Sequence, residues 1–506
     1  MNMNRISVIQ SLLLVLILTT LLAGCSGNSG SSPSPGSPVP LAADNINLIF
    51  VVSPDLAYQT PGDINPDTAN LTNQGLQRSL LMATYLKTKV LGSKNVTSIY
   101  SLAPITHLQT ANNYPDMAAI GYIQQFALLN QITLPVSDTA TYNANSYPIN
   151  VAYAKGSVPN GAIVQLNGYC PNCTGLDFNN ANGNNDLLIT SIINGKIPGF
   201  YVFSAPWETV SALLAKINNL YGNNLNLPAT YMGSNYIYAI SIPIPSPGIA
   251  SLYTYNSNLN PPATYPVLPS PVATTSCTYS QQPYFKAVWT GGVDGVTVPA
   301  NSNKNQTVYI VRHADAHPDP DFAFEDGNYV GAGQWRALSL SNALRGKMSP
   351  NMVYSIDPAQ WYTTFGPLNF SYVRPSLTVL PYAIANNLPF NLVAKFSITD
   401  TNTTDPAIAQ ATSDFFFTNG TFSNQAMLVA WESGHIRPFL NSLMASYGGN
   451  NPPQLPTAGP PVGGWPHPDY DTIWTVTLDA QGNLTVDNAL CEGIDSTQLP
   501  AQAPLF

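Results

Sequence analysis

The chain has 506 residues, more than one ordinary core supports, so two domains are the starting expectation. Hydrophobic residues make up 44%, a globular proportion, while charged residues make up only 8%, which leaves the surface to Asn, Ser, Thr and Tyr. With 17 basic and 26 acidic residues the net charge is -9, which repels phosphate backbones and argues against nucleic acid as a partner.

In chain order, the first feature is an export signal. Arg5 supplies a short positive region, and residues 12–22 form an apolar stretch too short to span a bilayer comfortably. It ends in Leu22, Ala23, Gly24 and Cys25, which resembles the bacterial lipobox. A plain signal peptide or membrane anchor is the alternative. The resemblance implies lipidation of Cys25, and acyl chains at about 0.8 kcal/mol per buried methylene make a two- or three-chain anchor effectively permanent. Ser26 after the cysteine is similar to Gram-negative lipoproteins sent to the outer membrane, so the expected location is the bacterial cell envelope. Residues 26–44, rich in Gly, Ser and Pro, read as a flexible tether.

The remainder repeats itself. A β-rich stretch at 47–52 leads through a polar loop to an amphipathic helix at 74–86, where Leu76, Leu80 and Ala83 recur at a spacing near 3.6. A short strand at 97–100 and a helical stretch near 115–130 follow. The second half opens with a strand at 307–311. Its helix, from Gly333 through Arg336 to Leu338, matches the one from Gly75 through Arg78 to Leu80. Strand 352–356 matches 98–102, strand 426–431 with helix 436–440 matches 200–204 with 210–214, and strand 472–478 matches 236–242. Strands alternating with helices imply an α/β fold, here two three-layer α/β/α sandwich domains at 45–255 and 283–506, joined by a Pro/Asn-rich linker at 256–282. Two unrelated α/β domains are the alternative. Four cysteines remain besides Cys25, an even count that suggests disulfides in an exported chain. Cys170 and Cys173 suit a local structural bridge better than a redox or zinc site; Cys277 with Cys491 is the leftover pairing, and the connectivity stays open.

Each first strand ends at the carboxyl edge, where an open α/β sheet binds its ligand. In the second half that edge carries Val311, Arg312, His313, Ala314 and Asp315, and downstream comes Arg374-Pro375-Ser376-Leu377-Thr378. This resembles the histidine-phosphatase superfamily, the phosphoglycerate-mutase-like proteins, whose first strand runs into Arg-His-Gly or Arg-His-Ala and whose later helix opens Arg-x-x-x-Thr. The likeness covers most of residues 305–480. It implies that His313 attacks phosphorus to form a phosphohistidine. Arg312 and Arg374 would grip the phosphate through bidentate, charge-assisted hydrogen bonds.

The sequence departs from the pattern near the end. After strand 426–431 the chain reads Glu432, Ser433, Gly434 and His435, so Ser433 holds the expected histidine position and His435 lies two residues on. His435 either completes the pocket or is a helix-start polar residue. Glu432 is the favoured proton donor, with Asp315, Glu325 and Asp326 as others. His317, followed by Pro318, and His467, between Pro466 and Pro468, read as loop and turn residues, and neither a metal nor a cofactor is expected.

The first half has Ser53 and Pro54 where the second has Arg312 and His313, and Thr106 or His107 where the family has an arginine. His107 reads as a structural polar residue. Two functions remain open: an anchored phosphomonoester hydrolase taking a small phosphorylated substrate, or an inactive phosphatase-like surface lipoprotein that binds a ligand or protein. Substrate and oligomeric state are not legible.

Overall fold

The computed structural model describes residues 39–506 apart from 59–61, 138–139, 145, 154–155, 160–174, 245–248, 278–281, 317–325, 360, 364–368, 396–397, 399–402, 457–464 and 467. Cys25 and its flanks, Cys170, Cys173, His317, Glu325 and His467 therefore lie outside the described residues. Among those described, no helix is long and apolar enough to cross a membrane.

Two sheets organise the chain. In the first, β1 (Ile46–Val52) is buried along its whole length, as a strand covered on both faces must be. The others are β2 (Ser98–Ser101), β3 (Ile149–Asn150), β4 (Gly199–Ala205), β5 (Tyr236–Ile242) and β6 (Ser251–Asn256), in the order β6-β5-β1-β4-β2-β3. The second sheet comprises β7 (Lys286–Trp289), β8 (Gln306–Arg312), β9 (Met352–Ile356), β10 (Phe390–Val393), β11 (Ala426–Trp431), β12 (Thr472–Leu478) and β13 (Leu484–Cys491), in the order β7-β13-β12-β8-β11-β9-β10. The runs β5-β1-β4-β2-β3 and β12-β8-β11-β9-β10 share one chain order. They also share pair senses, with β5 and β12 antiparallel to their neighbours and every other pair parallel.

Alternate residues of β1 feed two different cores. Ile49 and Val51 face one, while Ile46, Leu48, Phe50 and Val52 face the other. The second group meets α4 (Trp207–Leu220) through Val210, Leu213, Leu214 and Ile217. In the second sheet the outward set of Val308, Ile310, Val429 and Trp431 meets Ile436, Phe439 and Leu440 of α8 (Ser433–Ser446). Between the sheets lie α1 (Asn73–Tyr85), α2 (Ala118–Leu128), α5 (Gly331–Ala343) and α6 (Arg374–Asn386), whose apolar faces form a single core with residues from both halves. A Cβ added at Gly121 of α2 would stand 2.9 Å from Leu380 of α6. The inner helical layer is thus common to both sheets.

One local device occurs twice. Arg78 on α1 donates from Nε to Asp63 at 2.7 Å, and Arg336 on α5 donates from Nε to Asp315 at 2.6 Å. Three residues earlier stand Gly75 and Gly333, where a Cβ would fall 2.1 Å from the Asp63 carbonyl oxygen and 2.8 Å from that of Asp315. Each helix start is therefore pressed onto the loop that leaves β1 or β8, and only glycine permits the approach.

The Pro/Asn-rich stretch is packed along its described part. Leu259 accepts from Arg78 Nη1 through its carbonyl, Tyr265 donates its hydroxyl to the Leu338 carbonyl at 2.9 Å, and Leu268 and Val272 lie against the shared core. Cys277 is disulfide-bonded to Cys491 at the end of β13. The C-terminal segment is held by side chains of both halves, Gln125 donating to the Pro504 carbonyl and Trp335 to that of Gln502.

Candidate functional site

Parallel pairing of β8 with β11 sets Arg312 opposite Trp431, so the chain leaves both strands at one carboxyl edge. His313 follows Arg312, and its backbone N–H donates to the Trp431 carbonyl at 3.3 Å. Glu432, Ser433 and His435 continue from Trp431 into α8, and β9, the next strand over, ends beside them before Asp357. Arg374 enters at the N-terminus of α6.

His313 is almost fully buried, at 1% exposure. Its Nδ1 lies 2.9 Å from the Ala314 carbonyl oxygen, which can only accept, so the neutral ring carries its proton on Nδ1 and its lone pair on Nε2. The loop holding that ring is tied to α6. Ala314 N–H donates to Thr378 Oγ1, which donates to the Arg374 carbonyl, both at 2.7 Å.

Two tyrosines flank the imidazole. Tyr372 meets it edge-on at 6.1 Å, and Tyr470 lies tilted at 6.0 Å. Each ring also carries a guanidinium. Arg374 lies 4.7 Å over Tyr372 and donates to its hydroxyl at 3.2 Å, while Arg312 lies 4.1 Å over Tyr470. Arg312 Nη1 further donates to the carbonyls of Pro466 and Asp469, both at 3.3 Å. The turn presenting them is held by the Asp469 carboxylate, which accepts from the backbone of Asp471 and Thr472 and from the Thr472 hydroxyl. Cation–π contact fixes each guanidinium plane without neutralising it.

Glu432 and His435 form a separate pair. Glu432 caps α8, its Oε2 accepting from His435 N at 2.9 Å and from His435 Nδ1 at 2.7 Å, while Ser433 donates to Oε1. Burial pushes this carboxyl up, but the hydrogen bond and charge of His435 outweigh it and hold Glu432 at about 2. Glu432 is therefore ionised at neutral pH. It orients His435, and this hydrogen bond favours the carboxylate over the proton donor expected of Glu432.

The other expected donors are engaged too. Asp315 pairs with Arg336, which also binds Glu492 at 2.6 Å, and Asp326 accepts from Ser146 and from Asn328 N. Sequence reading passed over Asp357. It is fully buried, its Oδ1 accepts from Ala359 N at 3.0 Å, and burial raises its pKa to about 7. Its one signal was an acid directly after a strand of the same edge. Tyr372 and Tyr470 carried no signal, because neither lies within a motif.

The corresponding edge of the first sheet has the opposite charge character. Ser53 and Pro54 continue from β1, and Asp55, His107 and Asp116 gather there. Burial and then the nearby Asp116 charge raise Asp55 to about 6. Burial also works to lower His107, but the hydrogen bond and charge of Asp116 prevail and raise it. Glu208, at the start of α4, adds a further negative charge facing Asp55 and His107.

No protein-family model matches the chain, and no curated protein does. Solved structures similar to it include phosphoserine phosphatase from Entamoeba histolytica in complex with 3-phosphoglyceric acid. That match has 11% identity and a TM-score of 0.23, and covers 36% of this chain and 96% of the other. A protein assigned as phosphohistidine phosphatase SixA from Agrobacterium tumefaciens is 13% identical with a TM-score of 0.18, covering 34% and 92%. Mycobacterial hydrolase 1 is 11% identical with a TM-score of 0.19, covering 34% and 93%. At these scores the likeness carries no argument about fold or activity.

Proposed function

We propose that the second half is a phosphomonoesterase site of histidine-phosphatase type, carried on a lipoprotein anchored through Cys25. The observation that carries this reading is the cluster in which His313 touches Tyr372 and Tyr470, each of which also carries a buried guanidinium. The Nε2 lone pair of His313 attacks the phosphorus of a small phosphate ester as the ester P–O bond breaks, and the leaving oxygen takes a proton. Water then displaces phosphate from Nε2 and regenerates the imidazole. Arg312 and Arg374 hold the equatorial oxygens whose charge the transition state spreads. His435, oriented by Glu432, is the third candidate donor to the phosphoryl group.

For the leaving-group proton we assign Asp357. It follows β9 at the same carboxyl edge as His313, and burial shifts its acidity toward neutrality, as a general acid requires. The common strand order of the two sheets and the twofold Arg–Asp and glycine device support descent of the two halves from one duplicated unit. The inactive reading draws on the first edge, where Ser53 and Pro54 offer neither imidazole nor guanidinium.

The test is hydrolysis of p-nitrophenyl phosphate by the purified full chain between pH 4 and 8, beside His313→Ala. Turnover that disappears in the variant supports the hydrolase; turnover that survives it, or none in either protein, sinks it. Anchoring is tested by palmitate labelling in a bacterial host, with Cys25→Ser expected to lose the label.

A further inference from the structure

We propose that Asp55, His107 and Asp116, at the carboxyl edge of the first sheet, form a binding site for one divalent cation of the Zn2+ type. The three ligand atoms stand close to the spacing such an ion requires. His107 Nδ1 is 3.0 Å from Asp116 Oδ2 and 3.5 Å from Asp55 Oδ2, and all three atoms lie within 4.8 Å of one another. Tetrahedral Zn2+ with ligands at about 2.0–2.2 Å keeps them ~3.3–3.6 Å apart.

Each ligand is held from behind. Asp55 Oδ1 accepts from Ala57 N at 2.7 Å and Asp116 Oδ1 from Ala118 N at 2.9 Å, so each carboxylate spends one oxygen on the backbone and turns the other toward the imidazole. The His107 ring is stacked on Phe178, with centroids 3.6 Å apart and planes within 5°. Such outer contacts are what orient metal ligands.

An independent observation also points to a ligand here. Asp55 is 2% exposed, and its Oδ2 is buried with no hydrogen bond while directed at His107. A buried acceptor left in that state is costly, and a cation bound there satisfies it. Two carboxylates balance the 2+ charge, with Glu208 adding negative potential nearby. An imidazole among the ligands favours Zn2+ and its transition-metal neighbours over Mg2+, which prefers six oxygens and keeps its waters. Binding puts the metal on the Nδ1 lone pair and sends to solvent the proton that His107 and Asp116 share. The two sheet edges would then take ligands of opposite charge, a phosphate at the second and a metal ion at the first.

The experiment strips the purified full chain with a chelator, equilibrates it with Zn2+ alone and measures retained metal, beside the near-isosteric Asp55→Asn and Asp116→Asn. One zinc per chain is expected, with affinity at least tenfold weaker in each variant and a thermal midpoint that Zn2+ raises only in the unaltered protein. Zinc K-edge absorption of the unaltered protein gives a reading that does not depend on the variants folding. One imidazole with oxygen neighbours supports the site; sulfur in the first shell, two imidazoles, or equal zinc retention in the folded variants overturns it. No retained zinc in the unaltered protein overturns it equally.

Discussion

Replacing Glu432 by Gln probes whether the Glu432–His435 pair is a charged, buried unit. The wild-type carboxyl is buried, which by itself raises its pKa, yet the hydrogen bond and charge of His435 bring it to about 2 from an ordinary 4.5. At 1.36 kcal/mol per pH unit this amounts to about 3 kcal/mol of stability at pH 7. Because the folded pKa lies below the unfolded one, the contribution is complete above about 4.5, shrinks as the pH falls, and is gone below about 2. By pH 3.5 a substantial part of it has been lost. Gln cannot ionise, so the variant is less stable at pH 7 and lacks this increment of acid sensitivity. Urea unfolding followed by tryptophan fluorescence at pH 7 and 3.5 measures the difference, with Trp431 buried next to the pair. If both proteins lose the same stability between the two pH values, the paired carboxylate described above is wrong. Turnover gives the functional half: Glu432→Gln, His435→Ala and the double variant should lose activity non-additively, since one residue acts through the other.

Asp357→Asn should slow hydrolysis of alkyl phosphates far more than of p-nitrophenyl phosphate, whose leaving group needs no proton. With burial holding Asp357 near 7, the wild-type rate on alkyl esters should fall as the pH rises through that value, as kcat measured from pH 5 to 9 will show. Cys277→Ser opens a bridge between residues 214 apart in sequence, and chain-entropy reasoning puts the loss at up to about 5 kcal/mol, seen as a lower urea midpoint than that of the oxidised wild type. Gly75→Ala and Gly333→Ala should both destabilise in thermal melts, Gly75 more because its Cβ would sit only 2.1 Å from the Asp63 carbonyl oxygen. Arg336→Met strands Asp315 and Glu492 in the core and should cost about 3–5 kcal/mol, again by urea unfolding.

Much of the fold was legible because it follows from local periodicity. The strands expected at 236–242 and 472–478 are β5 and β12 to the residue, and the helix expected at 74–86 is α1 at Asn73–Tyr85, capped by Thr72. The match between the two helix starts at Gly75 and Gly333 also holds in three dimensions, since both glycines meet the carbonyl of a loop aspartate. The Pro/Asn-rich stretch was the opposite case. Its composition reads as a linker, and its packing through Leu259, Tyr265 and Leu268 follows from surfaces of distant helices that composition does not record.

The sequence by itself determined the α/β alternation, the strand tip that bears Arg312 and His313, the helix start at Arg374, and the absence of both groups at Ser53 and Pro54. Each is a local property, set by side-chain spacing and by the chemistry of residues adjacent in the chain. Only the tertiary structure decided that Tyr372 and Tyr470 each touch both His313 and an arginine, that Glu432 is paired with His435, and that Asp55, His107 and Asp116 converge. Those depend on strand register and on how loops pack at a sheet edge, which join residues far apart in the chain. The charge state of a carboxyl depends in turn on that packing, because burial and a neighbouring imidazole act only once the chain has folded.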